Sequence, residues 1–283
     1  MNRREFITGG VGAALAAGGC SIFNGDGVKY KLAMAGYTLN SFKLEPALEI
    51  CRKNGIRHLC VKSFHLPLTA TAAEIAAFRR KCADYDVAPY GAGPIYMATA
   101  DEMKRCFDYT AALGVDVLVG VPGRKRGDGK VVSDRAMCEH ASRLAAEYDI
   151  KFAIHNHGRN PKTGNPLLYP AVPETWELIR DLDRRVGFCV DWAYSHADGL
   201  DCPALARTYA PRIFDGHVRC ISDAANGSSG VNPAGRAFDY DGIFAALKEI
   251  GYDGCLGLEL ANAFPDHPEW IAESCGYFRG LMV

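Results

Sequence analysis

Four short runs in the second half of the chain end in residues that bind metals or move protons. They are FAIHNHG (152–158), GFCVDWAYSH (187–196), IFDGHVRC (213–220) and LGLEL (256–260), and they carry His155, His157, Asp191, His196, His217 and Glu259. Imidazoles and carboxylates at the ends of apolar strands are destabilising unless something pairs them. One shared divalent cation would pair several at once. His155 and His157 are two residues apart on a strand and point the same way, with Asn156 opposite. Both imidazoles can bind one metal, or one can ligate while the other touches substrate. Asp191, His217 and Glu259 complete a candidate shell of nitrogen and oxygen donors without thiolate, a set that suits Mn, Mg, Co or Zn. An open coordination position would take two adjacent substrate oxygens, acidify the carbon between them and stabilise an enediolate. Glu259, His157 or Lys62 can then move the proton.

Several further residues are candidates for holding a substrate. Arg219 shares the parity of His217 and suits a substrate oxygen or carboxylate. Asp215 has the same parity, and Asp215 or Asp223 can orient a ligand. His196 follows Asp191 by five residues and is a candidate substrate contact. Tyr37, Phe64, Tyr96, Trp192 and Tyr194 could wall a sugar-like ring. Glu174 and His140 read as surface or packing groups.

The elements that must position these residues alternate along the chain. Strand-like runs occur at 30–36, 57–62, 87–91, 116–121, 151–155, 187–191, 213–218 and 255–259. Helix-like runs occur at 43–54, 71–84, 100–113, 133–148, 171–183, 202–209, 239–250 and 268–280. Thr71 or Thr69 and Ser133 stand at helix starts, and Gly55, Gly114 and Gly251 close helices before strands. Eight strand–helix units predict an α/β fold, a single-domain (β/α)8 TIM barrel over 28–283. An open doubly wound sheet would want a glycine-rich phosphate loop after its first strand. AGYTLNS (35–41) has no GxGxxG, and no GxxxxGK[ST] occurs anywhere. Long connections at 122–132, 158–170 and 221–238 all follow strand C-termini, the catalytic face of such a barrel.

The balance of 32 basic against 33 acidic side chains, with a pI near 6.7, argues against a nucleic-acid partner. Arg124–Lys125–Arg126 reads as a solvated loop, with binding of an anionic or sugar substrate as the alternative. Residues 1–20 read as an export signal: Arg3–Arg4 precedes a weakly apolar, small-residue run, as in twin-arginine signals. Cys20 follows Ala17–Gly18–Gly19, a loose lipoprotein box and a possible lipid anchor. The expected address is periplasmic, or membrane-anchored through that lipid. The eleven cysteines contain no CxxC; Cys51, Cys82, Cys106 and Cys138 fall inside helix-like patterns and Cys60, Cys189 and Cys255 in strand-like runs, so they read as small buried hydrophobes. Export of an already folded chain reconciles free thiols with that address.

These residues resemble the sugar phosphate isomerase/epimerase superfamily, the xylose-isomerase-like TIM barrels, over about 30–280 of the chain. GFCVDWAYSHADG, GHVR and YDGCLGLEL carry the resemblance. It implies a Glu, Asp, His, Glu ligand set, in which Asp191, His217 and Glu259 match the last three. His155 stands where the first Glu is usual, and His157 matches the histidine that follows it. Ketose 3-epimerases of the superfamily use two glutamates as paired bases, and one of that pair is absent here. The resemblance implies a small carbohydrate-like substrate and metal-dependent isomerisation or epimerisation. A lyase or hydrolase acting on a keto-glycoside or polyol is the alternative, and a non-catalytic sugar-binding barrel a third reading. The oligomeric state is left open.

Overall fold

The computed structural model describes residues 28–128, 130–160, 162–219, 238–260 and 268–283. Arg3–Arg4, Cys20 and Asp223 lie outside the described residues, as does most of the connection 221–238.

Eight parallel strands close on themselves. They are β1 (Lys31–Ala35), β2 (His58–Val61), β3 (Ala88–Met97), β4 (Val117–Lys125), β6 (Lys151–His155), β7 (Val186–Asp191), β8 (Ile213–Val218) and β9 (Cys255–Leu258). They pair in the order β3-β2-β1-β9-β8-β7-β6-β4, and a β3–β4 pairing completes the ring. This is the (β/α)8 barrel expected from the alternation. Around it run α1 (Leu44–Lys53), α2 (Ala72–Asp84), α3 (Ala100–Leu113), α4 (Arg135–Tyr148), α5 (Val172–Ile179), α6 (Trp192–Ala197), α7 (Cys202–Tyr209), α8 (Tyr240–Glu249) and α9 (Pro268–Gly280).

The local chemistry explains the helix boundaries. Thr71 and Thr99 each cap a helix reciprocally with a glutamate three residues on, Glu74 and Glu102. The start of α4 corrects the expectation from Ser133: Asp134 is the cap, its carboxylate accepting from the Met137 amide. Gly114 ends α3 at φ 74°, a left-handed conformation that penalises a Cβ.

Two further corrections concern the connections. The stretch 122–132 is not a plain loop, because β4 continues to Lys125 and folds back antiparallel onto β5 (Val131–Ser133). Arg124, read as solvated, is partly tied down by an ion pair with Asp134 at 2.6 Å. The short helix α6 follows Asp191 directly and has too few residues to show a 3.6 period.

Period-two alternation sorts the strand residues into two cores. Outward-facing side chains pack under the helices in one large cluster. Inside the barrel, Cys60, Val119, Ala153, Cys189 and Phe214 form a smaller apolar plug. Above that plug, toward the C-terminal ends of the strands, the inward positions turn polar. The nine described cysteines are all buried free thiols, as their sequence positions imply.

Candidate metal centre

Four strands deliver four donors to one point. In the β7–β8 register Asp191 is level with His217, and His217 is level with Gly257 of β9. His155 ends β6 beside Cys189. Glu259 lies just past β9, tied by its amide to the Val218 carbonyl at 2.9 Å. One donor atom from each of His155, Asp191, His217 and Glu259 lies within 4.8 Å of the others, and all four residues are buried. His155 Nε2 sits 3.0 Å from His217 Nδ1, and His217 Nδ1 sits 3.1 Å from Glu259 Oε2. His155 Nε2 is 3.7 Å from Glu259 Oε2 and 3.9 Å from Asp191 Oδ2. Gly257 makes room for this ring, since a Cβ there would lie 3.3 Å from His217 Cδ2.

This donor set fits a divalent cation. Ligands about 2.0–2.2 Å from a metal stand roughly 3–3.5 Å apart, close to the shorter separations seen here. The outer nitrogens His155 Nδ1 and His217 Nε2 have no protein partner among the described residues, so both rings are held by the centre they face. Burial alone would raise the Glu259 carboxyl, but His217 and His155 beside it hold it well below the usual carboxylate range. The same proximity lifts His217 against the effect of burial. Burial dominates at His155 and lowers it.

A second ring of contacts orients Asp191. Asn156 Oδ1 accepts from the Asp191 amide at 2.8 Å, and Asn156 Nδ2 reaches the Ser195 hydroxyl at 3.3 Å. Asp191 Oδ1 caps α6 through the Tyr194 amide at 3.0 Å. Arg219 grips Asp191 Oδ2 with Nη2 at 2.6 Å and Nε at 3.1 Å, and comes within 3.5 Å of Glu259. Its guanidinium lies 4.3 Å from the centre of the Tyr194 ring. Arg219 therefore serves Asp191 first and faces the cavity second.

That cavity, about 370 Å³, opens above the four donors and is lined by Tyr37, Lys62, Pro94, Tyr96, His155, His157, Tyr194, Arg219 and Glu259. His157 stands at its wall, outside the four-donor group. Its Nδ1 lies 3.0 Å from the Leu168 carbonyl, and its Nε2 lies 2.7 Å from the Tyr96 hydroxyl. A carbonyl can only accept, so Nδ1 carries the proton and Tyr96 donates to Nε2. Burial pulls His157 down to about 4, which keeps the ring neutral at neutral pH. Lys62 follows β2, donates to the Pro94 carbonyl at 2.5 Å and is lowered by burial.

Four sequence expectations are corrected. Trp192 is fully buried in the outer core, because the residue after Asp191 faces away from the barrel interior. The turn of α6 carries His196 to a separate cavity beside α7, where it stacks on Phe238 with ring centres 4.6 Å apart. Asp215 lies a layer below His217 and orients no donor of the four. It accepts from the Tyr90 hydroxyl at 3.1 Å, and burial raises it to about 6. Phe64 is 45% exposed and does not line the main cavity. Glu174 pairs with Arg159, consistent with a surface role. Sequence reasoning missed Tyr90 and the part played by Asn156. For Asn156, a polar residue between two histidines on the outward face of an apolar strand was the available signal.

The fold and its centre define a class. The Xylose isomerase-like TIM barrel family matches residues 47–281, and the chain belongs to that family. It is 24% identical over 257 residues to an inosose isomerase of Bacillus velezensis, spanning 83% of this chain and 89% of that protein. Among solved structures it resembles a D-psicose 3-epimerase determined in the presence of D-fructose, with a TM-score of 0.63 and 16% identity over 89% of this chain and 96% of the other. It also resembles the probable 3-DHS dehydratase AsbF of Bacillus anthracis, with a TM-score of 0.64 and 11% identity over 88% of this chain and 98% of that one.

Proposed function

We propose that the protein is a divalent-metal-dependent isomerase or epimerase acting on a sugar, keto-sugar or polyol derivative. The observation that carries this reading is the convergence of His155, Asp191, His217 and Glu259 on one buried point at the floor of a cavity of monosaccharide size. The inosose isomerase and D-psicose 3-epimerase relatives support it.

His155, Asp191, His217 and Glu259 would hold the cation, with Mn, Mg, Co and Zn as candidates. When bound, that cation supplies Lewis-acid polarisation of neighbouring carbonyl and hydroxyl groups. The protein's own groups handle the proton. Glu259, the carboxylate at the cavity floor, accepts a proton from the carbon beside the carbonyl. The Tyr96 hydroxyl, backed by neutral His157, exchanges a proton with a substrate oxygen on the facing wall. Arg219 holds Asp191 in place and offers positive charge to the reacting oxygens. Tyr37, Tyr96 and Tyr194 present ring faces to the sugar and narrow the access of water.

A lyase is the second reading. With His155 in place of a carboxylate, Glu259 is the single carboxylate among the described residues lining the cavity, which suits proton abstraction on one side followed by loss of a hydroxyl protonated by Tyr96. The likeness to the probable dehydratase favours keeping it.

Residues 1–20 are proposed to direct export, with Cys20 as the candidate lipid anchor. Cell fractionation of the wild type and an Arg3→Lys, Arg4→Lys variant tests this, and an unchanged soluble cytoplasmic pool in both would overturn it.

The deciding experiment is α-proton exchange in heavy water with Mn-loaded protein and a panel of sugars, keto-sugars and inososes. Deuterium at one carbon together with an isomer of unchanged skeleton is expected. Loss of water would select the lyase. Absence of exchange and of mass change across the panel, with metal bound, would reject both in favour of a sugar-binding barrel.

A further inference from the structure

The two cations of the cavity are in different situations. Arg219 is paired with Asp191 through Nε and Nη2 and approached by Glu259. Lys62 has no carboxylate within ion-pair distance among the described residues. Its ammonium donates to one backbone carbonyl, that of Pro94, and lies 5.7 Å from the centre of the Tyr37 ring. The backbone around it is tightly packed. A Cβ on Gly36 would fall 2.5 Å from the Cys60 carbonyl and 3.1 Å from Lys62 Cγ, so the stem of Lys62 lies close against Gly36. The ammonium is therefore fixed in the cavity wall, with donor capacity that the described protein groups leave unused.

Charge counting sharpens the point. Lys62 and Arg219 balance Asp191 and Glu259, with His155 and His217 neutral. A divalent cation at the four donors adds two positive charges that no described side chain of the cavity offsets. A glutamate at position 155 would have offset one of them, and this chain has histidine there. An unpaired buried charge is strongly destabilising, so the cavity is built for an anionic occupant.

We propose that the substrate carries a carboxylate and that Lys62 binds it, making the protein's preferred ligand a sugar acid or keto acid rather than a neutral sugar. This rests on the cavity being the substrate site of the proposed function. A carboxylate accepts short, charge-assisted bonds from a single ammonium, whereas phosphate sites normally gather several donors or a helix N-terminus. Among the described residues the cavity holds two cations, of which Arg219 is paired with Asp191, and burial lowers the Lys62 pKa, so a counter-anion relieves a real penalty. Lys62 is then a substrate-anchoring group rather than the proton carrier that the sequence admits.

The test is calorimetric binding with the full-length protein, with and without Mn, at fixed ionic strength. The probes are D-glucuronate, D-glucose and D-glucose 6-phosphate. Wild type is expected to bind glucuronate at least about tenfold more tightly than glucose, the size of one charge-assisted bond. Lys62→Met should abolish that preference, and Lys62→Arg should retain most of it. Added salt should weaken glucuronate binding alone. Glucuronate binding no tighter than glucose, or the phosphate ester binding tightest, overturns the proposal, as does retention of the preference in folded Lys62→Met. Deuterium exchange on neutral sugars without an acid preference would sink this inference and leave the isomerase reading standing. An acid preference without exchange on any probe would do the reverse.

Discussion

His155 Nε2 and His217 Nδ1 face each other across 3.0 Å, and the far nitrogen of each ring has no protein partner among the described residues. Two neutral imidazoles gain little from this arrangement beyond one hydrogen bond. The two lone pairs, with Glu259 Oε2 only 3.1 Å from His217, suit a cation between them.

The two histidines of FAIHNHG should therefore separate on mutation. His155→Ala is expected to lower metal affinity by at least about tenfold, since it removes a donor outright. His157→Ala should keep near-normal metal content and slow proton exchange, because its ring bonds to Leu168 and Tyr96 rather than to the four donors. Metal per chain, measured after dialysis against limiting Mn or Zn, checks this. A greater loss in His157→Ala would refute the assignment.

Metal removal should lower stability as well as activity. A ligand that binds only the folded state at about one hundred times its Kd contributes about 2.7 kcal/mol. Chelator-treated protein is expected to melt earlier and to recover on adding Mn or Zn. An Asp191→Asn, His217→Ala double variant should show no such recovery. Identical melting curves with and without metal would argue against a cation at this centre.

Asn156 touches no substrate in this scheme, yet Asn156→Ala should be destabilising. It leaves the buried Asp191 amide without its acceptor, which costs about 1–3 kcal/mol. Urea denaturation gives the loss, and the metal affinity of the folded variant should fall with it. A variant as stable as wild type would show that Asn156 does not hold β6 against β7.

Acid sensitivity has one clear contributor outside the site. Arg135 on α4 forms a two-bond pair with Asp181 just after α5 and also donates to the Leu178 carbonyl. The hydrogen bonds from Arg135 lower the Asp181 carboxyl from 3.8 to about 2. A depressed folded pKa means that the contribution is complete above the unfolded value and is lost as pH falls through the folded one. The melting-temperature gap between wild type and Asp181→Asn should thus be constant above about pH 4 and close toward about pH 2. Asp181 is 65% exposed and Arg135 35%, so the gap should be small and salt-sensitive. A gap that widens toward low pH would contradict the assignment.

Much of the fold was legible because its signals are local. Thr71 with Glu74, the left-handed Gly114 and the apolar runs before His155, Asp191, His217 and Glu259 each declare themselves within a few residues. The errors fall where the deciding contact is distant or the element is short. Asp134 rather than Ser133 caps α4 while also pairing with Arg124 across the β4–β5 hairpin. The six residues of α6 turn His196 away from the cavity toward Phe238, which no spacing in the sequence reveals.

The sequence by itself determined the alternation of eight strands and their helices, the polar ends of four strands, and the histidine at position 155. These follow from periodicity and residue chemistry, which act over a turn or a strand. Only the tertiary structure decided which polar groups meet. Barrel closure and strand stagger bring His155, Asp191, His217 and Glu259 within reach of one point, place His157 on the wall with Tyr96, bind Arg219 to Asp191 and set Lys62 against the Pro94 carbonyl. Partners distant in the sequence are joined by the geometry of the closed sheet, and that geometry is a property of all eight strands together.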